Sequence, residues 1–191
     1  MGKVLRIMFI LSALGGCSSE EPGDTAAKAE PGNPFFEEWD TPFGVPPFDR
    51  IEISDYEPAI MRGMAEHRNE IAVIARHPGF PDFANTIEAM DEAGGLLTRA
   101  GSVFGAMNGT MTNDEMQAIA KRLAPLRSKH RDEILLNAEL FARVDIVYQQ
   151  RDKLELDREQ QMLLKETGKR FVRGGANRSP TDKKKLKAVN E

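Results

Sequence analysis

Three histidines and one cysteine are the residues of this chain best suited to metal binding or nucleophilic catalysis. Two histidines sit in similar settings, His67-Arg68-Asn69-Glu70 and His130-Arg131-Asp132-Glu133, and each setting puts a His and a Glu on one helix face. A zinc-binding helix of the His-Glu-x-x-His type needs a second imidazole one turn after the first. Isoleucine, Ile71 or Ile134, occupies that second position here, and arginine occupies the Glu position. The sequence therefore predicts no metal ligand and no catalytic residue, and each His is interpreted as lying beside an apolar stripe, paired with a surface carboxylate.

The cysteine follows a segment typical of an exported lipoprotein. Two basic residues precede an apolar run, residues 7–14, which is too short to cross a bilayer as a stable helix. Leu14-Gly15-Gly16-Cys17 then matches a lipobox, in which small residues precede a thiol that receives a lipid. The pattern predicts a signal peptide over residues 1–16, lipidation of Cys17 and membrane attachment through that lipid. The alternative is an ordinary signal peptide with an incidental cysteine. Ser18, in place of Asp, favours the periplasmic face of the outer membrane.

Composition and charge place the rest of the chain among ordinary globular proteins, with 40% hydrophobic and 29% charged residues. Residues 17–33 lack large apolar side chains and predict a lipidated, flexible tether. Residues 165–191 hold nine basic and three acidic side chains. Because only Phe171 is interleaved with them, this basic end is interpreted as a solvated helix face, and no nucleic-acid partner is predicted.

Apolar residues recur at three- and four-residue steps in the body of the chain and predict a series of helices. Ser54 begins a capping box for the first helix, which Pro78 ends. Asn85 or Thr86 caps a second helix, whose stripe is expected to continue unbroken to Phe104. Small residues on that stripe predict the close approach of a neighbouring helix, and they are Gly94, Gly101 and Gly105.

Capping signals also divide the second half of the chain. Thr112 begins a further capping box, and a helix is expected over residues 138–151. Asp157 caps the next helix, which Gly174-Gly175 ends. Ser179 and the following proline begin a last helix close to Glu191, a pattern that we interpret as a chain cut before its core is complete.

A stretch rich in proline and aromatic residues, over residues 34–53, precedes the first helix. Its prolines disfavour a helix, while its aromatic side chains need burial. The sequence therefore predicts an extended strap that lies across a helical body and buries its aromatic residues.

An ordered series of short motifs resembles the opening of bacterial peptidyl-dipeptidases, which belong to the thimet oligopeptidase family of zinc metallopeptidases. The series consists of Asn33-Pro34-Phe35-Phe36, Pro46-Pro47-Phe48-Asp49, Pro58-Ala59-Ile60 with Gly63-Met64, Phe83-Ala84-Asn85-Thr86-Ile87, Leu97-Thr98-Arg99, Leu140-Phe141-Ala142-Arg143-Val144 and Phe171-Val172-Arg173-Gly174-Gly175-Ala176-Asn177. The resemblance implies an all-α region, residues 34–191, at the N-terminal side of a larger, two-lobed peptidase. In that family one zinc ion is held by His-Glu-x-x-His and a distal Glu in the later half of the sequence. This chain stops before that motif, so no cofactor is expected in it and no catalytic residue is carried over.

Two functional interpretations remain open. In the first, the chain is the channel-wall portion of a zinc-dependent peptidase that hydrolyses short peptides and releases C-terminal dipeptides, and it is inactive alone; an endo-acting oligopeptidase fits the same resemblance. In the second, it is a non-catalytic helical periplasmic lipoprotein that binds peptides or a partner protein. The two differ in whether the helices close a core by themselves.

Overall fold

The computed structural model describes residues 32–190, and every regular element in that range is a helix, which confirms the predicted all-α fold. The α-helices are α1 (Ile53–Ala75), α2 (Ala89–Glu92), α3 (Gly95–Thr110), α4 (Asp114–Leu135), α5 (Ala138–Gln149), α6 (Arg158–Arg173) and α7 (Pro180–Asn190). A π-helical segment, Phe83–Glu88, leads into α2, and short 3₁₀ turns lie at Pro34–Phe36, Pro42–Gly44 and Arg151–Lys153. The predicted signal peptide, Cys17 and nearly all of the tether lie outside the described residues. Within residues 32–190 no helix has the length and apolar character that a membrane crossing requires.

Helix α1 starts earlier than the sequence predicts. The prediction that Ser54 caps it is wrong, because Glu52 is the N-cap. The Asp55 carboxylate accepts a hydrogen bond from the Glu52 backbone N–H at 2.8 Å, which satisfies one amide at this helix end. The helix ends at Ala75, three residues before Pro78, as predicted.

Helix α1 packs against α3 and α4 around a core that we call the first cluster. Its buried members come from four elements and are Phe35, Tyr56, Ala59, Ile60, Met64, Ala100, Val103, Phe104, Met116, Ile119 and Leu123. The backbones of α1 and α3 meet at Gly63, where a Cβ would lie 2.7 Å from Leu97 Cα. The predicted close approach at Gly105 is wrong, because nothing lies within 4 Å of a Cβ built there.

The chain turns between α2 and α3 at Gly94, so the predicted unbroken helix is also wrong. Gly94 has φ +80°, in the left-handed region that glycine adopts without steric cost. The predicted cap is displaced as well. Asp82, and neither Asn85 nor Thr86, caps the preceding segment, and its Oδ1 accepts from the Asn85 backbone N–H at 2.7 Å.

Helix α4 runs parallel to α1. Arg122, in the middle of α4, forms a bidentate ion pair with Glu57 in the second turn of α1, and Arg68 pairs with Glu133 further along both helices. The N-cap of α4 is Asn113 rather than the predicted Thr112, since Asn113 Oδ1 accepts from the backbone N–H of the third helical residue at 2.9 Å. The parallel arrangement brings the two His-x-x-Glu patterns to the same level of the fold.

The end of α1 packs with α5, α6 and the π-helical segment around a second core, which we call the second cluster. Its buried members are mostly aliphatic and are Ile71, Ile74, Phe83, Ile87, Leu140, Val144, Val147, Leu164, Phe171 and Ala176. The predicted cap of α6 is confirmed: Asp157 Oδ1 accepts from Gln160 N–H at 2.9 Å, and the Gln160 side chain accepts from Asp157 N–H at 3.1 Å. The helix ends at Gly174, also as predicted.

The proline-rich strap buries only some of its aromatic residues. Phe35 is fully buried, and the indole Nε1 of Trp39 donates to the Pro34 carbonyl at 2.8 Å. Phe43 is fully exposed and Phe48 is half-exposed, so the prediction that all the strap's aromatic side chains are buried is wrong. The 3₁₀ turn at Pro42–Gly44 points Phe43 into solvent, with the residue itself at φ +60°.

Candidate functional site

The two histidines that share the His-x-x-Glu pattern meet between α1 and α4. His67 Nδ1 lies 3.0 Å from His130 Nε2, and the ring centroids are 5.1 Å apart. A hydrogen bond between two imidazole nitrogens needs a proton on one nitrogen and a lone pair on the other. The pair is therefore held together when at least one of the two rings is neutral.

Burial keeps both rings neutral at neutral pH. His130 is almost completely buried, and its Nδ1 is buried without a hydrogen-bond partner. This burial, with smaller contributions from His67 and Arg68, lowers the pKa of His130 to about 4. Burial also lowers the pKa of His67, although the nearby Glu70 carboxylate opposes that shift.

The predicted pairing of each histidine with a surface carboxylate is wrong. Glu70 Oε2 accepts instead from the backbone N–H of Gly94 at 2.6 Å. Glu133 lies 3.7 Å from the Arg68 guanidinium. The turn at Gly94 also covers His67, because a Cβ at that position would lie 3.0 Å from the His67 ring. The carboxylates thus fix the surroundings of the pair and do not complete a catalytic dyad with either ring.

The histidine pair does not fit the zinc ion that the family resemblance implies. Protein zinc sites use three or four ligands. Within residues 32–190 no three His, Cys, Asp or Glu side chains come together in a way that could hold a metal ion. Ile71, at the position where a zinc-binding helix carries its second histidine, is buried in the second cluster. No step of catalysis is therefore assigned to these side chains.

The third histidine, His77, helps to bind a buried arginine that the sequence analysis did not single out as a site residue. Arg143 is 7% exposed. Its Nη1 donates to the carbonyls of His77 and Gly79 at 2.9 and 3.1 Å. Its Nη2 donates to Asn85 Oδ1 and Thr86 Oγ1 at 2.6 and 3.2 Å.

The positive charge of Arg143 is stabilised by neutral polar groups, namely backbone carbonyls and side-chain oxygens. Among the described residues no carboxylate forms an ion pair with it. Two of its acceptors are backbone carbonyls just beyond the end of α1, where a helix presents its negative pole. Arg143 therefore acts as a clamp that ties α5 to the connection between α1 and α2.

Comparison of the amino-acid sequence with known proteins shows what this chain is similar to. Over 158 residues the chain is 45% identical to the dipeptidyl carboxypeptidase of Escherichia coli (strain K12) and 42% identical to that of Salmonella typhimurium (strain LT2). Over this segment the chain is similar to bacterial dipeptidyl carboxypeptidases. Each alignment covers 83% of this chain and 23% of the relative, and no protein-family model matches the chain. The predicted resemblance to this group of peptidases is confirmed.

The motifs on which the resemblance in the sequence analysis rests contact one another in pairs. Arg99, from Leu97-Thr98-Arg99, donates through Nη2 to the carbonyl of Phe35 in the strap motif. Gly63 packs against the backbone of Leu97. Arg143, from the motif on α5, donates to the side chains of Asn85 and Thr86 in another motif. The motifs therefore record contacts between helices, which explains why none of them contains a catalytic pattern.

Proposed function

We propose that this chain forms part of the substrate-channel wall of a zinc-dependent peptidase that acts on short peptides and releases C-terminal dipeptides. The observation that carries the proposal is the 45% identity over 158 residues with a protein named dipeptidyl carboxypeptidase. The chain spans 23% of that relative, so hydrolysis would require residues beyond the matched region. By itself the chain is expected neither to bind zinc tightly nor to cleave peptides.

The contacts within residues 32–190 support a wall-forming role. Helices α1, α3 and α4 enclose the first cluster, and α5 and α6 enclose the second. The polar groups inside this body, the histidine pair and Arg143, bind other parts of the same body. A rigid scaffold of this kind can hold a channel surface in place, which is what positioning of a substrate requires.

A chimera tests the proposal directly. The matching 158-residue segment of the E. coli dipeptidyl carboxypeptidase is replaced by the aligned residues of this chain. Release of the C-terminal dipeptide from a blocked tetrapeptide is then measured by chromatography. We expect the chimera to fold, to bind zinc as the parent does and to retain activity within about tenfold of the parent, because the packing motifs are shared.

Two controls make the result decisive. The same chimera with Arg143→Met should lose activity together with its cooperative fold, since the clamp is removed. The isolated chain with Cys17→Ser should release no dipeptide. A chimera that folds and binds zinc yet cleaves nothing would contradict a channel-wall role, and hydrolysis by the isolated chain would contradict the inactivity expected of it.

We also propose that the protein is exported and anchored by a lipid on Cys17 at the periplasmic face of the outer membrane. The support is the Leu14-Gly15-Gly16-Cys17 pattern. Expression with radiolabelled palmitate should label the wild-type chain, and Cys17→Ser should remove the label and release the protein into the soluble fraction. Equal labelling of the two proteins would exclude Cys17 as the anchor.

A further inference from the structure

A cavity with a volume of about 550 Å³ lies between α4, α6 and α7. Arginines from two helices line it: Arg131 from α4, and Arg170 and Arg173 from the last turn of α6. Helix α7 contributes Leu186 and Asn190. The volume is within the range of pockets that bind small ligands. The basic end interpreted from the sequence as a solvated face therefore contains a concave site.

Contacts in the middle and at the end of α7 hold it beside this cavity. A Cβ at Gly175 would lie 2.8 Å from Leu186, so the glycine lets the middle of α7 approach the chain that follows α6. At the end of α7, Asn190 Nδ2 donates to Asp132 Oδ2 at 2.8 Å, and the Asn190 carbonyl accepts from the Ser128 hydroxyl at 3.1 Å. A Cβ at Gly174 would lie 2.9 Å from the Leu135 side chain, so this glycine lets the end of α6 approach α4.

The three arginines that line the cavity are exposed to solvent. Among the described residues none of the three forms an ion pair within 4 Å. The hydrogen bond from Lys169 lowers the pKa of the lining carboxylate Glu166, and the charge of Arg173 adds to that shift from a longer distance. The lining contains two carboxylates, and both are engaged: Glu166 accepts from Lys169 Nζ at 2.7 Å, and Asp132 accepts from Asn190. The donors of the three arginines are therefore available to a ligand.

The type of basic residue is also informative. Helix α7 carries four lysines, Lys183, Lys184, Lys185 and Lys187, and none of them lines the cavity. Arginine presents a planar fork of donors that matches the two oxygens of a carboxylate, whereas lysine presents a single strongly hydrated charge. Leu135 and Leu186 add an apolar surface beside these forks.

We propose that this arginine cavity binds the carboxylate groups of an acidic peptide. The oxyanion chemistry follows from the three unpaired guanidinium groups, and the apolar side chains favour an organic anion over an inorganic one. The choice of a peptide rests on the proposed function, in which short peptides are the substrates.

The test uses the full chain with Cys17→Ser and isothermal titration calorimetry at low salt. The probe is acetyl-Leu-Glu-Glu with a free C-terminus, and the neutral comparison is acetyl-Leu-Gln-Gln amide. We expect saturable binding of the acidic peptide and none of the neutral one. Arg131→Gln and Arg170→Gln should each weaken binding about tenfold, because each removes a charge-assisted contact.

A lysine from the same basic end supplies the matched control. Lys184→Gln removes one positive charge outside the cavity, so its affinity should stay within about twofold of the parent value. If Lys184→Gln and Arg170→Gln weaken binding of the acidic peptide equally, the proposal is overturned, because the peptide then responds to the overall positive charge of this surface. Inorganic phosphate that binds as tightly as the acidic peptide would overturn the choice of ligand, and failure to saturate at millimolar peptide would overturn the site. These outcomes concern binding by the chain alone, so they are distinct from failure of the chimera to cleave.

Discussion

The two core clusters differ in how each one uses an arginine. In the first cluster Arg99 donates to the Phe35 carbonyl and stacks over the Trp39 ring, with its guanidinium carbon 5.0 Å from the ring centroid, while its Nε is buried without a partner. In the second cluster Arg143 donates to four acceptors through Nη1 and Nη2, and its Nε is likewise buried without a partner. The first arrangement depends on aromatic contact and the second on a hydrogen-bond network.

This difference shows which interactions each half of the molecule depends on. Aromatic rings pack edge to face in the first cluster, where the centroids of Tyr56 and Phe104 lie 5.4 Å apart, and a small shift of either ring keeps most of its many weak dispersion contacts. A buried network with fixed donors tolerates much less, because every lost partner leaves a polar group unsatisfied. The histidine pair lies at the boundary between the two clusters, where α1 and α4 pack against each other.

The largest effect is expected from removing the clamp of the second cluster. Arg143→Met should lower the free energy of unfolding by about 3 kcal/mol, because it leaves two carbonyls and two side-chain oxygens without their donor. Arg99→Met should cost about 1 kcal/mol, since its flat stacking contact is partly replaced by the thioether. Urea unfolding followed by circular dichroism measures both. Equal losses for the two variants would remove the distinction between the clusters.

Glycine substitutions compare how rigid the two clusters are. At Gly63 an added methyl group meets the backbone of Leu97, which cannot move without displacing α3, so Gly63→Ala should cost about 2 kcal/mol. At Gly168 the methyl group would lie 2.8 Å from the Tyr148 ring, which can rotate away. Gly168→Ala should therefore change the stability by less than about 1 kcal/mol. Urea midpoints give both values, and a larger cost at Gly168 would reverse the ranking.

Acid should lower the free energy of unfolding through the histidine pair at the boundary between the clusters. Folding lowers the pKa of His130 from its ordinary 6.5 to about 4, so the unfolded chain takes up a proton below pH 6.5 while the folded chain does not. The contribution of this ring is therefore complete above pH 6.5 and is lost as the pH falls from 6.5 towards 4. At pH 5 the loss should be about 2 kcal/mol.

Variants of two histidines test this origin of the pH dependence. His130→Gln should flatten the change in stability between pH 7 and pH 5. His67→Gln should flatten it only in part, because burial lowers the pKa of His67 as well. If the free energy of unfolding of His130→Gln changes with pH as much as that of the parent, the pH dependence belongs to other groups.

The smallest effects are expected at the helix caps. Asn113→Ala removes one side-chain cap from α4 in the first cluster, and Asp157→Ala removes one side of a reciprocal cap from α6 in the second. Each substitution removes one side-chain hydrogen bond and should cost about 1 kcal/mol, with the larger loss at Asp157 because its negative charge also interacts favourably with the positive end of the helix dipole. Thermal denaturation of the two variants side by side measures the ranking, and a larger loss at Asn113 would contradict it.

Local signals in the sequence predicted much of the helical framework. Asp157 and Gly174 bound α6 because both act through neighbouring backbone groups, which short patterns record. Ser54 was a wrong cap because the helix begins at Ile53, with Glu52 as N-cap and Asp55 accepting from the Glu52 backbone N–H. Thr112 was a wrong cap because the side chain of the next residue, Asn113, accepts from the helix backbone instead. The break at Gly94 was missed because the apolar stripe continues through it, and because its stabilising acceptor, Glu70, lies 24 residues earlier.

The polar sites could not be predicted in the same way. Sequence spacing placed His67 and His130 on helix faces, but their meeting depends on the parallel packing of α1 and α4 across 63 residues. Arg143 binds acceptors 57 to 66 residues away. Its only sequence signal was its presence in a motif shared with the peptidases. Phe43 was expected to be buried because it is aromatic, whereas a left-handed backbone turn directs it outward.

Helix α1 contributes buried residues to both clusters, from Tyr56 and Ile60 at one end to Ile71 and Ile74 at the other. A fluctuation that opens one cluster leaves this helix held by the other. Its central amide protons should therefore exchange with deuterated solvent only when the whole chain unfolds, whereas those of α7, which has no buried residue, should exchange through local opening. The exchange of the longest helix should therefore report on the simultaneous opening of both cores.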